Sequence, residues 1–386
     1  MTGRSDRRFA RLLTIDADGG VQHLPRTALA SLFTPGDLLI ANDAATLPAS
    51  LQGIHDASSE PIEVRLAAWM SIRDPTRFVA IAFGAGDHRT PTEERMLPPD
   101  LSPCDRLTLG PLVAIVERPI VERPIAERPL GDPRLFQLRF LGDRATVIAG
   151  LARHGRPIQY AHVPEPLALW DVWTRIAADP IAFEPPSAGF ALDWQTRAVW
   201  RRRGIEFATL THAAGISSTG NPHLDLRLPF DEPYRIPEHT AAAIKRAKSK
   251  DRRIIAIGTS VVRALESAAN ADGSVRTGDG VASGRIVRET PLRVVDAILT
   301  GVHQPGESHF ELLQAFANDA VLEQMSDAFA RLGYRPHEFG DSVLIERCSR
   351  PHAGVDHSES FTANLSQLVP WSGEGAPSAV PPVPPL

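Results

Sequence analysis

Two apolar runs of the sequence end in polar side chains that could take part in chemistry. Thr211-His212 closes the run that starts at Ile205, and Asn42-Asp43 closes the run Leu38–Ala41. Ligand crevices in α/β sheets open at the carboxyl ends of the strands, and a histidine there can exchange protons near neutral pH. His212 is therefore a candidate proton acceptor, and a hydrogen-bonded structural histidine is the alternative.

A short turn between a predicted strand and a predicted helix carries a second set of polar groups. The turn Gly258-Thr259-Ser260 joins the strand Ile254–Ile257 to a helix at Val261–Asn270. Free amides and the positive helix end face outward at such a turn, so Thr259 and Ser260 could hold an anion or a sugar hydroxyl. A serine that only caps the helix is the simpler alternative. The segment lacks the GxxxxGK[ST] spacing of a phosphate-binding loop, and Val262 replaces the last glycine of a GxSxG nucleophile elbow.

The remaining histidines and the cysteines give no metal pattern. His303 lies in a turn before a predicted helix and is a further candidate for proton exchange, whereas His309 and Glu311 are explained as solvated residues of that helix's first turn. The histidines are too scattered for a compact ligand set, and the two cysteines have no metal-site spacing. We therefore expect no metal site and no tightly bound cofactor.

Alternating and helical patterns divide the chain into an α/β core and an inserted β region. Between about 53 and 149, short apolar runs separated by Pro, Gly and Asp predict an antiparallel barrel or sandwich. These runs are Ile62–Trp69, Phe78–Phe83, Leu112–Val116, Leu135–Phe140 and Ala145–Ile148. A triple Glu-Arg-Pro pentapeptide at Val116–Leu130 predicts an extended or loop excursion, because each proline removes an amide donor.

Beyond residue 150 the pattern is that of an α/β protein. Predicted helices are Leu167–Ala178, Asp193–Arg203, Pro237–Lys250, Val261–Asn270, Val294–Leu299, His309–Ala317 and Ala320–Leu332. Predicted strands are Ile205–Thr211, Ile254–Ile257, Arg285–Val287 and Ser342–Glu346. We expect residues 1–52 and 150–350 to form an α/β sheet domain, with an antiparallel β-barrel domain inserted at 53–149 and a disordered Pro-rich tail at 366–386.

Composition and charge narrow the class of protein. The net charge of −5 excludes a strongly basic nucleic-acid surface over the whole chain. Arg201–Arg203 and Lys245–Arg253 are local candidates for phosphate contacts, although basic runs at helix ends usually serve the helix dipole and solubility. There is no signal peptide and no run of about 20 apolar residues, so we expect a soluble cytoplasmic protein with no membrane partner.

Eight motifs, in order over residues 33–346, resemble the S-adenosylmethionine:tRNA ribosyltransferase-isomerases of queuosine biosynthesis. They are Gly36–Asp43 with Pro48-Ala49 and Gly53, Ile62-Glu63-Val64, Pro186–Gly189, Thr211-His212, Glu232-Pro233-Tyr234, Gly258–Arg263 with Leu265-Glu266, Val295-Asp296 with Thr300–Pro305, and Tyr334–Asp341 with Ile345. The resemblance implies an α/β domain with an inserted β-barrel. It also implies that S-adenosylmethionine is a co-substrate that donates its ribosyl group, with loss of adenine and methionine. In that family the acceptor is 7-aminomethyl-7-deazaguanine in tRNA, and the product is an epoxycyclopentanediol.

The resemblance also assigns site residues. His212 or Glu232 is the expected catalytic base, while Arg263 and Ser260 are expected to contact a carboxylate or hydroxyls and Asp341 to orient a cation. The full set of expected substrate-binding residues is Asn42, Asp43, Ser187, Gly189, Thr259, Ser260, Arg263, His303 and Asp341.

The chain departs from the family pattern within the same segments. Ala191 and Phe230 stand where the family has histidines, Ala45 where it has lysine, and Ser50 where it has arginine. These changes leave two hypotheses. The first is a divergent enzyme that cleaves the sulfonium and transfers the ribosyl group either to the deazaguanine of tRNA or, as the changes favour, to another nucleoside or small molecule. The second is a paralogue that binds S-adenosylmethionine or a nucleoside without catalysis, as a sensor or partner protein.

Overall fold

A computed structural model describes residues 10–119, 134–336 and 339–348. Its strands are β1 (Arg11–Ile15), β2 (Val21–Pro25), β3 (Leu38–Asn42), β4 (Ala44–Thr46), β5 (Ser50–His55), β6 (Glu60–Trp69), β7 (Arg77–Phe83), β8 (Arg106–Leu109), β9 (Leu112–Pro119), β10 (Leu135–Phe140), β11 (Asp179–Ala182), β12 (Glu206–His212), β13 (Glu232–Ile236), β14 (Ile254–Ile257), β15 (Gly278–Ala282), β16 (Ala297–Gly301) and β17 (Ser342–Glu346). Its α-helices are α1 (Arg144–His154), α2 (Leu169–Val172), α3 (Trp194–Arg202), α4 (Pro222–Asp225), α5 (Glu238–Ser249), α6 (Thr259–Ala268), α7 (Ser308–Leu313) and α8 (Asp319–Leu332). Short 3-10 helices lie at Arg26–Ala30, Thr92–Glu94 and Ser187–Ala191.

A nine-stranded mixed sheet forms the α/β part, in the order β15-β13-β12-β3-β14-β16-β17-β1-β2. Strands β12, β3, β14 and β16 are parallel neighbours, so their carboxyl ends meet at one edge. Alternate residues of β3 enter different cores: Leu38 and Ile40 pack on one face of the sheet, and Leu39 and Ala41 on the other. Burial on both faces explains why these strands are continuous apolar runs.

The inserted region closes into a six-stranded barrel in the order β10-β7-β6-β5-β8-β9, in which each pair of neighbours is antiparallel. Its core contains Phe78, Phe83 and Phe140, which are almost completely buried. The predicted fold class, an α/β sheet from both ends of the chain with an inserted barrel, is confirmed. The residue numbers proposed for the domain boundaries stay a prediction.

Several individual elements differ from the sequence prediction. Ala145–Ile148 belongs to helix α1, whose N-terminus is capped by the Asp143 side chain accepting the Thr146 N–H. The predicted helix Val294–Leu299 instead leads into strand β16, because short apolar runs carry no period that separates a buried strand from a buried helix. The predicted helix Leu167–Ala178 contains only the single turn α2.

Other predictions match more closely. Strands β14 and β17 have the predicted limits, and α3 follows Asp193, whose carboxylate accepts the Thr196 N–H. The strand predicted at Arg285–Val287 is wrong, since these residues form no strand. The strand that pairs with β13 is the earlier β15. The pentapeptide repeat begins inside β9, but its remainder, like the Pro-rich tail, lies outside the described residues.

Candidate functional site

The carboxyl edge of the parallel strands gathers most of the predicted site residues. Asn42 ends β3 and His212 ends β12, while Glu232 begins the antiparallel strand β13 at the same edge. Asp341 also lies there, because the following Ser342 pairs with Gly301 at the end of β16. The topology therefore brings together residues that are up to 299 positions apart in the chain, as the distance from Asn42 to Asp341 shows.

Asn42 holds the ends of two strands together. Its Nδ2 donates to the His212 carbonyl at 2.9 Å and to Ser260 Oγ at 3.4 Å. Its Oδ1 accepts the His212 N–H at 2.9 Å and the Ala44 N–H at 3.0 Å. The neighbouring Asp43 accepts the Thr211 hydroxyl at 2.7 Å. These contacts make Asn42 a positioning residue for His212, whichever ligand the edge binds.

His212, Glu232 and Arg263 form a buried cluster beside Asn42. Glu232 Oε2 is ion-paired with Arg263 Nη1, and its Oε1 accepts the Gly215 N–H at 2.6 Å. The Nε2 atom of His212 lies 3.3 Å from Glu232 Oε2. Neither ring nitrogen of His212 forms a hydrogen bond with a residue that the structure describes. The cluster thus places an imidazole without a bonding partner against an ionic pair.

The imidazole of His212 is neutral in this environment. Complete burial lowers the pKa of His212 from 6.5 to about 3, and the nearby Arg263 cation lowers it further in the same direction. Burial disfavours the charged form of histidine because the protein interior solvates charge poorly. At a pKa of about 3 the imidazole is a weak proton acceptor while it stays buried, so a role as a base depends on Glu232, whose Oε2 lies 3.3 Å away and can stabilise the imidazolium.

Arg263 is largely committed to the protein itself. Besides Glu232, its Nη2 donates to the carbonyls of Ala282 and Gly284, each at 3.1 Å, and of Phe230 at 3.3 Å. Burial lowers its pKa to about 10, so the guanidinium still carries its charge at neutral pH. A direct bond from Nη2 to a ligand would replace one of these contacts, whereas Nη1 donates to Glu232 and has a second N–H group.

The Thr259-Ser260 turn and the 3-10 helix at Ser187–Ala191 lie next to each other. Gly258 has φ = 103°, and a methyl group added to it would lie 3.4 Å from the Ala188 side chain. Ser187 and Thr259 are partly buried, whereas Gly189 is buried against Thr174. The structure therefore places these predicted residues beside the polar cluster. Ser260 is linked to it because Asn42 Nδ2 donates to Ser260 Oγ.

His303 and Asp341 lie farther along the edge and contact other groups. The Nε2 atom of His303 is 2.9 Å from Thr300 Oγ1, and its ring stacks on His309 with centroids 4.9 Å apart. Asp341 is buried and accepts from Arg11, including a 2.9 Å contact to Arg11 Nη2. Asp341 therefore pairs with a cation of the protein itself, and its predicted role toward a ligand stays a prediction.

A cleft near the barrel is lined by four polar residues that the sequence analysis did not select. It is lined by Tyr160, Glu184, Gln159, His162 and Phe339 among others. The Tyr160 hydroxyl donates to Glu184, and burial together with that carboxylate raises the pKa of Tyr160 well above 10. None of the motifs named in the sequence analysis includes Tyr160 or Glu184, so no local signal selected them.

The loop at residues 213–221 connects this cleft with the polar cluster. Gly215 donates its N–H to Glu232, and Ser217 donates its N–H to Glu184 at 2.8 Å. The Ser218 N–H donates to the Tyr160 hydroxyl at 3.3 Å. We refer to this segment as the 213–221 loop. Movement of the loop would alter both the cluster and the cleft.

The positions that depart from the family pattern lie around the same region. Phe230 packs against the barrel core, and Ala45 and Ala191 are buried. Ser50 donates its hydroxyl to Glu63 at 3.0 Å. Three of these positions therefore carry apolar side chains that pack inside the protein, whereas Ser50 makes a polar contact.

The two basic runs lie at the opposite, amino edge of the sheet. Arg201–Arg203 precedes β12, and Lys245–Arg253 precedes β14. The Gly36 N–H donates to the Gly204 carbonyl at 2.9 Å, and Arg253 pairs with Asp37. The runs thus meet near the start of β3, about 17 Å from the carboxyl edge by the rise of a five-residue strand.

Two features are absent from residues 10–119, 134–336 and 339–348. There, no group of three or more His, Cys, Asp and Glu residues could hold a metal ion. No described helix is long and apolar enough to cross a membrane.

Comparison with known proteins identifies relatives over most of the chain. The sequence profile of a family described as "Queuosine biosynthesis protein" matches residues 2–345. The S-adenosylmethionine:tRNA ribosyltransferase-isomerase of Citrifermentans bemidjiense is 31% identical over 350 residues, which cover 88% of this chain and 94% of that protein. The protein of the same name from Thermus thermophilus is 30% identical over 359 residues, which cover 89% of this chain and 94% of that protein. The crystal structure of S-adenosylmethionine tRNA ribosyltransferase from Thermotoga maritima is a distant match, with 18% identity, coverage of 89% of this chain and 94% of that one, and a TM-score of 0.45.

Proposed function

The chain belongs to the queuosine biosynthesis protein family, and we propose from this premise that it is an enzyme that transfers and isomerises the ribosyl group of S-adenosylmethionine. The resemblance predicted from ordered motifs is thereby confirmed. The observation that carries the proposal is the match over residues 2–345, because that range includes β3, β12, β14 and β16, whose carboxyl ends form the edge. The relatives named above are enzymes, and no observation favours the alternative of a binding protein without catalysis.

The overall reaction balances without an oxidant, a reductant or a metal. The donor is a sulfonium cation, in which the positive sulfur acidifies the adjacent carbon and makes methionine a good leaving group. The C–S electron pair leaves on the sulfur of methionine, and the glycosidic electron pair leaves on adenine. The acceptor amine forms a C–N bond to the anomeric carbon and loses a proton. A second proton leaves the carbon next to sulfur, and the electron pair of that C–H bond forms the carbon–carbon bond that closes the five-membered ring. The ring oxygen moves from the anomeric carbon to the carbon that carried sulfur and becomes the epoxide oxygen, and adenine takes up one of the two protons. The products are the ribosyl-derived adduct, adenine, methionine and one proton.

We assign the proton-accepting role to the pair His212 and Glu232. His212 is neutral because burial lowers its pKa to about 3, and Glu232 lies 3.3 Å from its Nε2 atom. Arg263 and the Gly215 N–H hold Glu232 in place, and Asn42 holds the backbone of His212. His212 is completely buried, so a substrate can reach it only if the 213–221 loop or a neighbouring segment moves. Such gating by loops is common in enzymes that exclude water.

Asn42 positions His212, and we assign substrate contacts to the other predicted residues of the edge. Ser260 and Thr259 begin helix α6, where hydroxyl groups and the helix dipole favour polar or anionic ligand groups. Asp43, Ser187 and His303 are partly buried and line the same edge. Gly189 acts through close packing, whereas Asp341 supports the edge through Arg11.

We propose tRNA as the acceptor. The support is that both relatives with near-complete coverage are named for tRNA. The substitutions at Phe230, Ala191, Ala45 and Ser50 make a different nucleoside or a small molecule the competing acceptor. The two acceptors are separated by experiment.

The test follows release of adenine and methionine by chromatography. The pure protein is incubated with S-adenosylmethionine, with and without tRNA that carries the deazaguanine base. Release that requires tRNA is the expected result. Release without tRNA would contradict the acceptor but keep sulfonium cleavage, and absence of release under both conditions would contradict the enzymatic proposal.

Variants of the cluster test the assigned roles. His212→Gln and Glu232→Gln should each lower the rate of adenine release by about 100-fold or more, in line with the loss of a general base. His239→Gln, an exposed histidine of α5, is the matched control and should keep the rate. An unchanged rate in His212→Gln would remove His212 from the mechanism.

A further inference from the structure

Three buried arginines surround one aromatic ring at the end of the barrel. The guanidinium groups of Arg65, Arg95 and Arg134 lie 4.9, 5.0 and 5.4 Å from the centroid of the Phe83 ring. Their residues are only 2%, 3% and 7% exposed. We refer to these three residues as the arginine cluster. Buried arginines are rare unless each is paired, because charge is costly to remove from water.

The described residues supply one carboxylate to Arg65 and Arg95. Glu63 Oε1 pairs with Arg65 Nε, and Glu63 Oε2 pairs with Arg95 Nη1, each at 2.7 Å. Burial raises the pKa of Glu63, but the two guanidinium groups outweigh this effect and the net shift is downward. Glu63 is therefore ionised and neutralises one of these two cations.

Arg65 and Arg95 each have one donor atom without a bonding partner among the described residues. Arg65 Nη1 and Arg95 Nε are buried and form no hydrogen bond with any residue in the described part of the chain. A buried donor without a partner costs about 1–3 kcal/mol, and more when it is charged. An anion with two acceptor oxygens could satisfy both donors in this positively charged cluster.

The arginine cluster adjoins the cleft and is linked to the polar cluster through the 213–221 loop. The Arg65 guanidinium lies 5.7 Å from the centroid of the Tyr160 ring, which lines the cleft together with Glu184. Arg134 Nη1 donates to the Gly220 carbonyl at 2.8 Å, in the same 213–221 loop whose Gly215 donates to Glu232. One loop thus joins the arginine cluster to the proposed proton acceptor.

We propose that the arginine cluster binds the α-carboxylate of S-adenosylmethionine. This inference rests on the proposed function. A guanidinium presents planar donors that match the two oxygens of a carboxylate. Near-complete burial favours a small ligand over a phosphate of RNA, which stays attached to a hydrated backbone. The carboxylate of Glu184 in the adjoining cleft complements the positive ammonium and sulfonium of the same molecule.

The test compares two donors that differ only in the carboxylate. Dissociation constants of S-adenosylmethionine and decarboxylated S-adenosylmethionine are measured by calorimetry on the full-length protein. The wild type should bind the carboxylated compound tighter by about 10- to 100-fold, the range expected for hydrogen bonds to a charged group. Arg65→Met and Arg95→Met should lose most of this ratio.

Three further variants keep the test decisive. Arg139→Met, a half-exposed arginine of β10 that pairs with Glu117, removes the same charge from the barrel and should keep the ratio. Arg65→Lys keeps the charge without the Nη1 donor and should lose part of the ratio. It replaces Arg65→Met in the test if that variant does not fold. Glu63→Gln removes the competing carboxylate and should keep or increase the ratio.

The outcomes separate this inference from the proposed function. Equal binding of the two compounds by the wild type, or an unchanged ratio in both folded methionine variants, would overturn the carboxylate site while adenine release continues. Weaker tRNA binding in Arg65→Met with an unchanged ratio would assign the cluster to an RNA phosphate and also overturn it. No binding of either compound, with no adenine release, would overturn the proposed function itself.

Discussion

At the scale of single residues, the site depends on burial that changes the properties of ordinary side chains. His212 is a common titratable residue, yet complete burial keeps it neutral over the physiological range. Glu232 pairs with Arg263 and accepts the Gly215 N–H, so its carboxylate is fixed in place by both groups. The chemistry of the edge is therefore set by the surroundings of these residues as much as by their types.

Burial of neutral His212 makes stability depend on pH. Its pKa is about 3 in the folded protein and about 6.5 when unfolded, so the unfolded state binds more protons between these values. The stabilisation is fully present above pH 6.5 and is lost as the pH falls toward 3. Between pH 7 and pH 5 the wild type should lose about 2 kcal/mol more free energy of unfolding than His212→Gln. Urea unfolding at both pH values measures this, and parallel losses would contradict the assigned environment.

Removal of the charge on Glu232 should be costly because Arg263 stays buried. Glu232→Gln is expected to lower the free energy of unfolding by about 3–5 kcal/mol, the cost of a buried charge that loses its partner. The double variant Glu232→Gln with Arg263→Met should lose less than the sum of the single variants. A double-mutant cycle by chemical denaturation measures the coupling, and additive losses would show that the pair is not coupled.

At the scale of elements, two barrel strands approach each other closely at a glycine. Gly53 of β5 faces β8, and a methyl group added there would lie 2.2 Å from the Thr108 carbonyl oxygen and 2.7 Å from the Leu109 side chain. The contact involves backbone, so it cannot be relieved by a side-chain rotation. This packing explains physically why the motif that contains Gly53 needs glycine at this position.

Gly53→Ala should destabilise the protein through this contact. Separation of β5 from β8 is expected to cost about 1–3 kcal/mol, the range for overpacking in a closed core. Gln52→Ala changes the exposed neighbour on the same strand and is expected to have little effect. Thermal unfolding of both variants measures the difference, and equal melting temperatures would contradict the close packing.

At the scale of the whole molecule, the barrel packs against the segment that joins two strands of the sheet. The apolar core of the barrel includes Ala213, Ile216, Leu224 and Leu228, which come from the chain between β12 and β13. Trp69 of the barrel donates its Nε1–H to the Ile181 carbonyl at 2.7 Å. These contacts cross from one part of the fold to the other, so we expect the two parts to unfold together.

Calorimetry should therefore show a single unfolding transition. Ile216→Ala is expected to lower the free energy of unfolding by about 2–4 kcal/mol and to shift the whole transition. Leu226→Ala is the matched control, because Leu226 is 63% exposed and lies in the same part of the chain. Two separated transitions, with only one shifted by Ile216→Ala, would show that the barrel and the sheet are thermodynamically independent.

The sequence by itself determined the family, the fold class and many of the elements. Ordered motifs identified the family, and the apolar runs gave strands β14 and β17 with their observed limits. The Asp193 cap of α3 was also predicted, since its carboxylate bonds to an amide only three residues away. These features depend on local periodicity and capping, which neighbouring residues encode directly.

The tertiary structure decided which polar groups meet and what their charges do. Glu232, Arg263 and His212 come from three different elements, and only the strand order places them in contact. The alternating charges in β6 gave a faint signal for the arginine cluster, but Arg95 and Arg134 lie elsewhere in the sequence. Burial, pKa and unpaired donors arise from contacts between distant segments, and for this reason the local pattern of the sequence could not supply them.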